Sequence, residues 1–420
     1  MFNLTEKKKQ NEQVKLLRNI IARMMGLVFL CAGLLVGCAQ PAEVVEESWE
    51  QRVIDSEEGT SEEIQEESME KSMDEIIGEQ LDEMSLEEKA GQVLFLALRQ
   101  NQEGQPLQEL GDEETALLKA IQPGGVILFS ENIYDNRQVK NLIVEMQAAA
   151  DIPLFMAVDQ EGGRVSRLTG GEMTFPKTPS ARELGQSGDV DNALETGKLL
   201  GRELKALGFN MNMAPVADVD SNPQNPVIGD RSFGNDPELV ANMAMAMARG
   251  MVLEGVIPVL KHFPGHGDTD LDSHVEAVVL NHSLERLVEM EFLPFRRAVS
   301  LNMPVIMTGH IELKALDEGV PATLSSVLVT DMLRGDWGYR GVVISDALEM
   351  GAISRRWTSG EAAVKALTAG VDLLLMPENP LEARDAIVEA VNEGILPEKQ
   401  LDQAVTRILA LKLRSEMLTD

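Results

Sequence analysis

The chain has 420 residues, 44% of them hydrophobic, enough for one large α/β domain or two smaller ones. Its 69 acidic residues outnumber 37 basic ones, for a formal net charge of −32. That excess argues against nucleic acid as a partner, because phosphates call for Lys and Arg. Half of it falls between Glu43 and Lys89, where 19 Asp/Glu face three Lys/Arg, a net of 3 − 19 = −16.

The amino terminus reads as a targeting segment. Lys7, Lys8, Lys9, Lys15, Arg18 and Arg23 form a positive region, and an apolar run from Met24 to Val36 follows. The run is short for a membrane span. It closes on Leu35-Val36-Gly37-Cys38, which resembles the lipobox of bacterial lipoproteins. That resemblance implies cleavage before Cys38 and a diacylglycerol on its thiol. Residues 1–38 are then a lipoprotein signal peptide. The mature protein is expected outside the cytoplasm, lipid-anchored to the bacterial cell membrane. An ordinary signal peptide or signal anchor is the alternative. The only cysteines are Cys31 and Cys38, so the mature domain has none to pair.

Residues 39–78 are rich in Glu, Gln and Ser with scattered apolar positions, the composition of a disordered acidic tether. The folded part is expected over 79–420. Ser85 with Glu88 three places on is a capping-box pattern that opens a short helix.

From there apolar runs alternate with amphipathic stretches. Strands are predicted over Gln92–Ala97, Gly125–Phe129, Leu154–Val158, Met211–Val216, Ile257–Lys261, Val305–Thr308, Gly341–Ser345 and Asp372–Met376. Most are short, continuous and rich in Val, Ile, Leu and Met, as strands buried on both faces must be. Helices are predicted over Asn136–Ala149, Asn192–Leu207, Glu238–Leu253, Leu284–Val299, Glu361–Ala369, Leu381–Asn392 and Glu398–Glu416. Eight strands, each followed by a helix, predict a single α/β domain of the (β/α)8 TIM-barrel type. An open doubly wound sheet gives the same alternation, but no Gly-x-Gly-x-x-Gly turn follows the first strand.

Polar residues fall at the carboxyl ends of the predicted strands, where barrels build their active face. Asp159 ends the third, Asp218 and Asp220 the fourth, Lys261 and His262 the fifth, His310 the sixth and Asp346 the seventh. The densest group follows the fifth strand, in KHFPGHGDTDLDSH from Lys261 to His274. A metal site is one reading, since His and Asp are ligands, but there is neither His-Glu-x-x-His nor a cysteine ligand. A phosphate cradle lacks the Gly-Lys-Ser/Thr of a helix start. Acid–base chemistry fits better. In an extended stretch Asp272 and His274 face the same way, so the carboxylate can orient the imidazole toward a substrate. Asp346, in GVVISDALEM, is either a helix N-cap or a nucleophile.

KHFPGHGDTDLDSH and ISDALEM together resemble glycoside hydrolase family 3, in its β-N-acetylhexosaminidase branch. LEEKAGQVLFL, GGVILFSEN, AVDQEGGRVSRL, NMAPVADVD, GDRSFGNDP, HIELKALD and PATLS extend the likeness from Leu81 through most of the chain. The resemblance implies that Asp346 is the nucleophile and His274 the general acid/base, with Asp272 as its partner. It implies that Asp159, Arg231, Lys261 and His262 grip the sugar and that His310 lies near the active face.

The expected activity is a retaining exo-β-N-acetylglucosaminidase on peptidoglycan fragments or chitin-type oligosaccharides, needing no metal or other cofactor and acting as a monomer. Such chemistry needs one group to attack the anomeric carbon and another to protonate the leaving oxygen. The rivals are a family 3 β-glucosidase or β-xylosidase, an N-acetylglucosaminide phosphorylase, and a non-catalytic carbohydrate-binding lipoprotein.

Overall fold

The computed structural model describes residues 72–269 and 278–418. Eight parallel strands form one sheet: β1 (Leu94–Ala97), β2 (Gly125–Leu128), β3 (Phe155–Val158), β4 (Met211–Asn212), β5 (Ile257–Phe263), β6 (Val305–Thr308), β7 (Val342–Ser345) and β8 (Leu374–Leu375). Each pairs with the next in chain order through β7, and β8 returns to β1 in the register Leu94↔Leu374 and Phe95↔Leu375. One further parallel bridge, Ile344↔Leu373, joins β7 to β8, and the barrel is all but closed. Every strand residue except Ala97 is buried. The inner face fills the barrel and the outer face meets the helices, so near-continuous apolar runs replace alternation.

Differences from the predicted elements have local causes. β4 is shorter than Met211–Val216 because Pro215 has no N–H for the ladder; pairing resumes as a single bridge, Val216↔Lys261. β5 runs on to Phe263 and carries Lys261 and His262 inside the strand. The predicted helix Leu284–Val299 breaks into Leu284–Glu289 and Leu293–Ser300. Pro294 stands in the first turn of the second piece, where its missing N–H does no harm. Between them Glu291 turns inward and takes both oxygens to Arg286 Nη1, at 2.9 Å each.

Helices Asp112–Ile121 and Ala181–Ser187 add to the predicted set. The Ser85 capping box forms, with Ser85 Oγ accepting from the Glu88 N–H and Glu88 Oε2 accepting from the Ser85 N–H at 2.7 Å. A helix also covers Met73–Glu83, starting inside the stretch whose composition reads as tether. Ile77 explains it, being buried on a face that packs against helix Glu398–Arg414. Above the barrel, Val278–Leu280 pairs with Ile311–Leu313 in a small parallel sheet.

Candidate active site

The strand ends gather charge at one face. Lys261 Nζ, from β5, lies 2.6 Å from Asp159 Oδ1 and 2.7 Å from Glu161 Oε1, both just past β3. Arg231 grips Glu161 with two bonds, Nη2 at 2.7 Å and Nε at 2.9 Å. Arg167 Nη2 donates to Asp159 Oδ2 at 3.0 Å. Three cations thus interleave with two carboxylates, and a parallel fork of the Arg231–Glu161 kind is among the stronger hydrogen-bonded pairs. Burial works against the Glu161 charge, but Lys261 and Arg231 outweigh it and hold the carboxyl down at about 2. Burial likewise opposes the Lys261 ammonium, yet Asp159 and Glu161 raise it above the ordinary lysine range.

Tight turns make this convergence possible. After β3 the chain reverses through Gly162 and Gly163, at φ +96° and +56°, conformations that a side chain disfavours. The reversal brings Val165 back to bridge Gly162, and Arg167 to Asp159. After β5, Gly267 lies so close to the segment that follows β4 that a Cβ there would stand 1.7 Å from the Val219 carbonyl oxygen. The Lys261–His262 and Phe263–Pro264 peptide bonds are cis.

Asp346 follows β7 directly and is partly exposed. Its Oδ1 accepts from the Ala347 N–H at 2.8 Å, and among the described residues Oδ2 has no hydrogen-bond partner. Burial opposes its ionisation, but His262, His310, the Ala347 N–H and Lys261 together hold it below the usual carboxylate range. An anionic carboxylate with a free oxygen beside a cationic network suits attack on an electrophilic carbon.

The structure brings Asp159, Arg231, Lys261, His262 and Asp346 together. His310 sits near them in a different posture. It is fully buried, with Nδ1 2.9 Å from Thr323 Oγ1 and Nε2 2.9 Å from the Ala347 carbonyl. It therefore braces the residue after Asp346 and does not present a nitrogen to a sugar. His266 is buried too, its Nδ1 2.9 Å from Thr269 Oγ1. Burial and the neighbouring His262 push its imidazole below the ordinary range. Asp272 and His274 lie in 270–277, outside the described residues.

Three residues were not singled out in the sequence reading: Glu161, Arg167 and, as more than a strand end, Asp218. Glu161 stands two places from Asp159, on the same side of an extended chain, and that spacing was the available signal. Nothing local marks Arg167. Asp218 is fully buried with His262 Nδ1 2.7 Å from its Oδ2.

A parallel barrel whose strand ends hold an ionised carboxylate beside interleaved cations and anions has the layout of an enzyme's active face. Residues 85–411 match the glycosyl hydrolase family 3 N-terminal domain, and the chain belongs to that family. It is similar to β-hexosaminidase A of Pseudoalteromonas piscicida, 36% identical over 333 residues, covering 73% of this chain and 56% of that protein. It is likewise similar to β-hexosaminidase LpqI of Mycobacterium tuberculosis, 36% identical over 339 residues, covering 78% of this chain and 83% of the relative. Among solved structures it resembles a family 3 β-N-acetylglucosaminidase from Paenibacillus sp. str. FPU-7, at 40% identity and a TM-score of 0.76, covering 80% of this chain and 64% of that one. The chain thus spans little more than half of the first relative and under two thirds of the last.

Proposed function

We propose that the protein is a retaining exo-β-N-acetylglucosaminidase that removes terminal β-linked N-acetylglucosamine from peptidoglycan fragments or chitin-type oligosaccharides. The observation that carries the reading is Asp346, ionised at the end of β7 with one oxygen unengaged among the described residues and three cations within the same site. The β-hexosaminidase relatives support the choice of sugar.

In this mechanism Asp346 attacks the anomeric carbon and forms a glycosyl-enzyme. His274, oriented by Asp272, protonates the leaving oxygen and then takes a proton from the water that releases the sugar. An unperturbed imidazole, at about 6.5, exchanges protons near neutral pH without needing burial to raise it. Asp159, Arg167, Lys261, Arg231 and His262 hold the sugar hydroxyls. Glu161 fixes Lys261 and Arg231 in place, so the donors meet the substrate without rearrangement.

The amino terminus adds location to this chemistry. Cys38 carries the lipid, the enzyme works as a monomer outside the cytoplasm, and Cys38→Ala leaves the activity intact while releasing the protein from membranes or blocking its processing. Membrane-bound, processed Cys38→Ala protein contradicts the anchor.

The test of function is turnover of aryl glycosides by the purified protein. An aryl N-acetyl-β-glucosaminide is expected to be cleaved far faster than the aryl β-glucoside, since a site built around a polar group rejects an analogue lacking it. Equal rates on the two sugars, or none on either, overturn the reading.

A further inference from the structure

Beside the nucleophile stands a second Asp–His couple, of which only His262 has a part in the steps above. Asp218 has no solvent exposure at all, and an ionised carboxylate there is unfavourable by several kcal/mol unless it is paired and hydrogen-bonded. Among the described residues, its carboxylate bonds to one stretch of chain. Oδ2 lies 2.7 Å from His262 Nδ1, and Oδ1 accepts the N–H of His262 at 3.1 Å and of His266 at 2.8 Å. Burial opposes the Asp218 charge, but His262, His266 and these hydrogen bonds outweigh it, and the carboxyl is held below its ordinary range. An ionised carboxylate only accepts, so His262 Nδ1 must carry a proton.

That leaves His262 Nε2, which has no hydrogen-bond partner among the described residues. His262 is also the neighbour that does most to favour ionisation of Asp346. The other charged and titratable groups around this ring are few among the described residues. Lys261 precedes it on β5, His266 meets it edge-on with ring centroids 5.9 Å apart, and His310 follows Gly309 on the β6 side.

We propose that Asp218 is a positioning residue for the reaction: by accepting hydrogen bonds from His262 Nδ1 and from two backbone N–H groups it fixes the tautomer and the set of the His262 ring, leaving Nε2 as the atom that meets the sugar. The couple is separate from Asp272 and His274, whose work is on the leaving oxygen. The inference rests on the sugar-holding role proposed for His262.

Asp218→Asn tests it. The amide oxygen still accepts the two backbone N–H groups, but the NH2 now faces His262 Nδ1 and moves the ring proton to Nε2. kcat/KM should fall roughly 10- to 100-fold, as for other residues that orient a working group. In a His262→Gln background the same change should add almost nothing, because the two residues act as a unit. A second readout needs no turnover. Nitrogen-15 spectra of the resting wild-type protein, with His262 assigned by its loss in His262→Gln, should show Nδ1 protonated.

Losses that multiply in the double variant assign Asp218 to the fold alone. Should Asp218→Asn not fold, the wild-type spectrum still decides, and an unprotonated Nδ1 overturns the proposal. Because that spectrum involves no substrate, its result is distinct from failure of the hexosaminidase reading.

Discussion

At the amino-terminal end of the barrel Asp372 is fully buried and richly bonded. Arg407 Nε reaches one oxygen at 2.9 Å, Arg334 Nη2 the other at 2.5 Å, and the Val343 N–H adds a third donor at 2.8 Å. On the same helix as Arg407, Lys412 is buried, with only Gln92 Oε1 at 2.9 Å and the Phe155 ring at 5.2 Å for partners among the described residues. At the carboxyl end charge is buried on a similar scale, but capacity is left over: Asp346 keeps a free oxygen and His262 a free nitrogen among the described residues. Buried charge alone therefore does not mark the site. Unspent hydrogen-bonding capacity beside a charged network does, and in barrels the two ends divide stability from chemistry in this way.

The contrast can be broken by substitution. Asp346→Asn is expected to have the largest effect on turnover, a loss of several orders of magnitude with thermal unfolding little changed, since it removes the proposed attacking group and few contacts. Lys261→Met comes next. It strips a shared cation from Asp159 and Glu161, and taking one partner out of a buried ionic network destabilises by about 3 kcal/mol. Urea unfolding should show that loss together with a raised KM. A variant as stable as wild type would mean the network at this face contributes nothing to the fold.

Lys412→Met sharpens the comparison from the other end and should leave turnover unchanged. Burial pulls the Lys412 ammonium from 10.5 down to about 7. The unfolded chain therefore holds more protons than the folded one between about pH 7 and 10.5, and wild-type stability should rise with pH across that window. Below it both states are protonated and the slope vanishes. Removing the amine should abolish the slope and stabilise the protein at neutral pH by about 1–4 kcal/mol. Parallel curves for the two proteins over this window would show that Lys412 is not buried as described.

Much of the fold was legible because strands sheathed on both faces must be continuous apolar runs. Val305–Thr308 has the same bounds in sequence and structure, and Asp346 and Lys261 were found because strand ends are countable. What was not legible depends on partners distant in the chain. Arg231 and Glu161 are 70 positions apart, Lys261 and Asp159 102. No local pattern announces such pairs, and Arg167 arrives only through the Gly162–Gly163 reversal. The posture of His310 was equally hidden, for its bond to the Ala347 carbonyl exists only once β6 and β7 lie side by side. Pro215 and Pro294 did carry readable signals, and they account for the shortened β4 and the broken helix.

The central claim is that Asp346 forms a covalent bond to the sugar. A fluorinated N-acetyl-β-glucosaminide that slows release of the intermediate, followed by digestion and mass spectrometry, measures this directly. The sugar mass is expected on the peptide containing Asp346 and to vanish in Asp346→Asn. Label on Asp159, Glu161 or any other carboxylate, or a full-speed reaction with no labelled peptide, contradicts it.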